Sequence, residues 1–132
     1  MEVGELADLR IAVPGTMTSA YLLLKLLLMN YKFEVVPFDK IMDVVCSGEF
    51  EAGLLIHEGQ ITYAQMGLHK IVDLGAWWHA DTKLPVPLGV NVVRKDLGKE
   101  MMQKISRLLT ASIQYAFTHK DEAVAHAMKF GR

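Results

Sequence analysis

A short β-branched run, LRIAV at 9–13, stops at Pro14-Gly15 and gives way to the apolar block AYLLLKLLLM at 20–29. No other feature constrains the fold so tightly, because a strand, a tight turn and a buried helix follow one another with no room for anything else. Thr16, Thr18 and Ser19 are each able to cap that helix. A helix greasy on nearly every side is normally buried. The block is ten residues long with Lys25 inside it, against the roughly 20 apolar residues of a membrane-spanning helix. The opening MEVGE is acidic where a signal peptide is basic,. The expectation is a cytoplasmic protein with no membrane partner.

The same alternation continues. Residues 33–36 read as a strand stopped by Pro37, and Asp39 is placed to cap a helix over 40–46 that Ser47-Gly48 ends. A third strand is expected over 52–56, a helix over 60–66 closed by Gly67, and a fourth strand over 70–74. Strands alternating with short helices are the signature of right-handed βαβ units. The fold class is therefore α/β, a parallel or mixed sheet with flanking helices. Residues 75–83 leave room for a turn of helix around Trp77, Trp78 and His79, and 84–87 are held extended by two prolines,. A further strand is expected over 89–93, at an edge or at a crossing,. From Leu97 onward Met101, Met102, Ile105, Leu108, Leu109, Ile113 and Ala116 keep helical spacing, and Asp121-Glu122 open a second helix over 123–130,.

Composition narrows the partners. The chain is 52% hydrophobic and 22% charged, as a globular domain is, and its 14 basic against 15 acidic residues leave a formal charge of −1,. No basic run alternates with aromatics, so no nucleic-acid partner is expected. The lone Cys46 sits in an apolar helical pattern and reads as a small core residue,.

Two segments have the placement that chemistry needs, since open parallel sheets bind ligands outside the carboxyl ends of their strands. The first is residues 14–20, whose free backbone N–H groups and hydroxyls suit an anion, or equally serve only to cap the helix,. It lacks the lysine and spacing of a phosphate-binding loop, so no nucleotide is indicated. The second is GLLIHEGQ at 53–60. Strand alternation puts Ala52, Leu54 and Ile56 on one face and Gly53, Leu55 and His57 on the other,. His57 then stands at the strand's carboxyl end, either as a base at the lip of a cleft or as a strand end that has reached water. Glu58, in the first turn of the next helix, reads as a cap or an orienting acceptor. Trp77 and Trp78 can stack on a flat ligand, with His79 at the rim, or simply pack in a core. The histidines lack metal-ligand spacing, and Ser19 lacks the elbow of a serine hydrolase.

At these residues the chain strongly resembles a known family. LRIAVPGTMTSAYLLL (9–24), GLLIHEGQ (53–60), VDLG-x-WW (72–78) and LP-x-PLG (84–89) occur in the order seen in the 1,4-dihydroxy-6-naphthoate synthase (MqnD) family of the futalosine route to menaquinone. The resemblance implies one lobe of a type II periplasmic-binding-protein-like fold with added C-terminal helices, acting as a carbon–carbon lyase. The substrate would be cyclic dehypoxanthinylfutalosine, with no metal or organic cofactor. It implies that His57 is the catalytic base, and that Thr16, Thr18, Ser19, Ala20, Glu58 and Gln60 bind the substrate. It also implies that residues 1–87 form the histidine-bearing lobe, and that 88–132 form a return strand and helices made to pack on a first lobe. That first lobe is absent, so the chain is expected to be a split gene product or a shortened frame that pairs with the missing lobe or forms a homodimer. The alternative is a non-catalytic lobe that binds small carboxylates.

Overall fold

Ile11, Ala12 and Val13 are buried on both sides at once, and that sets the layering of the molecule. Described here for residues 3–130 in a computed structural model, the chain forms strand β1 (Arg10–Val13) between β2 (Lys32–Val35) and β3 (Ala52–Gly53). Both pairings are parallel, with Ile11 opposite Phe33 and Ala52. A hydrogen bond from Leu54 N to Ala12 O, 2.8 Å, extends the β3 ladder by one residue.

Because strand side chains alternate, β1 feeds two cores. Ile11 and Val13 join Leu6, Leu24, Leu28, Ala52 and Leu54 on one face. Ala12 joins Val36, Ile41 and Phe50 on the other. Helix α1 (Ser19–Leu27) covers the first face and α2 (Ile41–Cys46) the second. The apolar block of α1 is only partly sunk: Leu23 and Leu24 are buried, while Leu22 and Leu26 are more than half exposed. A single three-stranded face has room for one stripe of the helix.

After β3 come α3 (Gly59–Thr62), a tight 3₁₀ turn over Tyr63–Met66, and α4 (Leu74–Thr82). Gly67, at φ 76°, closes that turn in the left-handed region that a side chain would disfavour,. Then α5 (Gly98–Thr118) and α6 (Lys120–Ala127) follow. The chain parts into two compact units between Leu88 and Gly89. Among the described residues no helix is long and apolar enough to cross a membrane.

Several expectations are corrected. Residues 70–74 are not a strand: Asp73 accepts from Ala76 N at 3.0 Å, caps α4 and turns Leu74 into the helix. Ile71, Val72 and Leu74 instead pack as irregular chain and first turn against the α1 face. Residues 89–93 form no strand either, since the chain there has no ladder partner among the described residues. Asp39 does not cap α2, which follows a 3₁₀ turn over Phe38–Lys40 and has no side-chain cap. Helix α6 starts at Lys120, ahead of the expected 123. Cys46 is exposed rather than core, because this six-residue helix buries Ile41, with Val44 and Val45 behind it, and turns its last residue outward.

Candidate functional site

Three parallel strands end at the same edge of the sheet, so the loops that follow them are neighbours whatever their sequences. The loop after β1 runs through Gly15, at φ 145°, to Thr18, the N-cap of α1. Thr18 Oγ1 accepts from Tyr21 N at 3.1 Å and donates to Gly15 O at 3.2 Å, so its proton is committed to the turn,. Thr16 is exposed, Ser19 opens the helix half-buried, and Ala20 packs against the core. Among the described residues, the Thr16 and Ser19 hydroxyls make no hydrogen bond of their own. Both are free to meet a ligand, as are the backbone N–H groups at the start of α1 ahead of Tyr21,.

The loop after β3 carries His57. Ala52 and Leu54 pack into the α1-side core and Leu55 into the α2-side core, so the alternation carries His57 to the α2 side. There the ring meets the loop after β2. Phe38 O lies 2.8 Å from His57 Nε2 and Gly59 N lies 2.9 Å from Nδ1. A carbonyl only accepts and a backbone N–H only donates, so these partners assign the proton to Nε2 and the lone pair to Nδ1. The Phe38 ring packs tilted against the imidazole at 5.6 Å. Gly59 N is one of the orphan donors at the start of α3, and the imidazole, rather than a carboxylate, takes it,.

Glu58 holds the N-cap position of α3, but its side chain makes no capping bond. The orienting role expected of it falls to two backbone groups, one before the ring in the chain and one after it. Gln60 is exposed and is tied to His57 through its backbone, N to O at 2.9 Å. The residues 16–20 and His57 share the carboxyl edge but lead to opposite faces of the sheet, and no hydrogen bond joins them among the described residues. Trp77 and Trp78 are half-buried on α4, and Trp78 Nε1 is buried without a partner. Among the described residues no cluster of three or more His, Cys, Asp or Glu is close enough to hold a metal ion.

Phe38 and Met42 were not singled out from the sequence. Met42 and His57 both border Gly59, whose missing Cβ would lie 2.9 Å from Met42 Cε. The one hint was Pro37, which ends β2 at the same edge as β1 and β3.

A family profile described as menaquinone biosynthesis matches residues 2–132. A Thermus thermophilus protein named 1,4-dihydroxy-6-naphtoate synthase is 44% identical over 128 residues, covering 94% of this chain and 47% of that protein. The synthase of the same name from Streptomyces coelicolor is 36% identical, covering 93% of this chain and 47% of the relative. A crystal structure of an Archaeoglobus fulgidus protein superimposes with a TM-score of 0.90 at 48% identity, over 95% of this chain and 47% of that one. The chain thus spans about half the length of the relatives it matches.

Proposed function

The chain belongs to the menaquinone biosynthesis family, and from that premise we propose that it carries the base of a carbon–carbon lyase. The reaction is conversion of cyclic dehypoxanthinylfutalosine to 1,4-dihydroxy-6-naphthoate and a three-carbon fragment. The observation that carries the proposal is His57, an imidazole whose partners put the lone pair on Nδ1, at the carboxyl edge of a parallel sheet,. An imidazole held in one tautomer by fixed partners is the usual form of a histidine base. His57 takes the proton that starts bond cleavage. Thr16 and Ser19 offer free hydroxyls to the substrate's oxygen atoms at the same edge, while Thr18 shapes the loop and Ala20 seats it.

The unit that bears His57 is proposed as one lobe of a type II periplasmic-binding-protein-like fold, working in the cytoplasm. The remaining half of the relatives' length would supply the other wall of the cleft, or a second copy of this chain would stand beside it as a homodimer. The test adds the portion of the Thermus thermophilus relative that this chain does not match, as a separate polypeptide, together with the substrate. Mass-spectrometric detection of the naphthoate is the expected result. Unchanged substrate over many hours, with both polypeptides folded and associated, refutes the lyase assignment.

A non-catalytic carboxylate-binding lobe is the alternative, and one feature favours it: both nitrogens of His57 are already occupied by the chain's own backbone. Calorimetry with small hydroxy-carboxylates separates the two, because the alternative requires binding without turnover in the same mixture.

A further inference from the structure

Gly59 is buried directly beneath the His57 side chain. A Cβ placed on it would stand 2.6 Å from His57 Cε1, 2.9 Å from Met42 Cε and 3.0 Å from Met42 Sδ. The first two are shorter than real Cβ contacts, so both the ring and the end of the thioether would have to shift. The same residue's N–H donates to His57 Nδ1 at 2.9 Å. The other ring nitrogen is held by a carbonyl, Phe38 O, which asks nothing of the Phe38 side chain. Of the two residues that hydrogen-bond the imidazole, Gly59 is the one where an added side chain would take the ring's own space.

We propose that Gly59 is a positioning residue for His57: its absent Cβ admits the ring and its N–H holds the Nδ1 lone pair, fixing the Nε2–H tautomer. The proposal rests on His57 being the base. It also identifies the nitrogen that takes the proton. When Nδ1 accepts a proton from the substrate, the Gly59 N–H is displaced, Nε2–H stays on the Phe38 carbonyl, and the ring becomes an imidazolium. Until then the lone pair is covered by the chain itself.

The close atoms around Gly59 are the far ends of two side chains and not backbone. Gly59→Ala is thus expected to fold while the ring moves away, which separates positioning from stability. The test uses the 132-residue chain with ¹⁵N-labelled imidazoles. The unaltered chain is expected to show scalar coupling across the Gly59 N–H···Nδ1 bond, and Gly59→Ala to lose it. In the two-polypeptide mixture with substrate, Gly59→Ala is expected to lower kcat on the order of 10²-fold with KM changed little, as misplacement of a catalytic group does. Gly89→Ala, where nothing lies within 4 Å of the added carbon, serves as the control. Adding Met42→Ala to Gly59→Ala removes the thioether clash and leaves the ring clash. Recovery of coupling and kcat by that double variant would make Gly59 a packing residue and overturn the proposal. So would coupling that survives Gly59→Ala, or a wild-type kcat in Gly59→Ala where His57→Ala has lost it. If His57→Ala turns over like the unaltered chain, the base assignment fails by itself, and the coupling alone decides whether Gly59 positions the ring.

Discussion

Gly53 and Ile41 meet where β3 passes under α2. Ile41 is fully buried, and a Cβ on Gly53 would stand 2.5 Å from Ile41 Cγ2 and 3.0 Å from Val45 Cγ2. Gly53→Ala should therefore overpack this face and cost about 1–3 kcal/mol, read as a lower urea midpoint at unchanged slope. An unchanged midpoint would mean that α2 can slide away from the sheet. The same alternation that points Gly53 at Ile41 points His57 toward Met42 two turns of the pleat later, and that face was legible from period two alone. The ring's partners were not. Phe38 lies 19 residues from His57 and contributes only an accepting carbonyl, which no residue type advertises. Glu58 shows the reverse error: an acid beside a histidine suggests an orienting pair, yet adjacent residues on an extended-to-helical turn point apart.

At the scale of elements, β1 is pinned to the approach to β3 by more than its ladder. Arg10 N donates to Glu51 Oε2 at 3.0 Å, and the Arg10 guanidinium lies 3.5 Å from Glu51 Oε1 and over the Phe50 ring. The Arg10 backbone N–H, more than the guanidinium charge, holds the Glu51 carboxyl below the usual carboxylate range. A carboxyl depressed in the folded state stabilises at pH above its unfolded value and stops doing so as pH falls through the folded one. Glu51→Gln is accordingly expected to lower the thermal midpoint at neutral pH, with the gap to the unaltered chain closing below about pH 4. A gap that persists in acid would place the effect in packing. Helix α1 depends on a single side chain for its start, so Thr18→Ala should cost about 0.5–2 kcal/mol, measurable by the same denaturation, while Thr16→Ala, at an exposed hydroxyl without a partner, should cost next to nothing. The order of strands and helices up to residue 66 was readable because Pro and Gly punctuate it, but the strand expected over 52–56 is only Ala52–Gly53, and the helix expected over 60–66 is the short α3 followed by a 3₁₀ turn. The failures at 70–74 and 89–93 share one cause. β-branched residues suit a strand, but a strand also needs a neighbour, and whether one is present is a fact about the rest of the fold.

At the scale of the molecule, the chain parts into two compact units, and within the first of them the loop ends of a small parallel sheet bring a histidine and two hydroxyls to one edge. Apolar side chains remain uncovered, among them Leu22, Leu26 and Met29 on and just beyond α1, and Met101, Leu108, Leu109 and Ile113 on α5. Such surfaces promote association, and light scattering at working concentration is expected to give the mass of a dimer; a monomer would contradict the homodimer. The α/β class and the family were legible because patterning and four ordered motifs are local in the chain. The path of the loop after β2 to the histidine was not, since only the assembled sheet brings it there. The role proposed for His57 is to take the proton which begins cleavage. Its most direct measurement is the turnover of His57→Ala in the two-polypeptide mixture, with substrate affinity measured alongside. A fall in kcat of about 10²–10⁴-fold at nearly unchanged affinity is the expected result; turnover equal to that of the unaltered chain would contradict it.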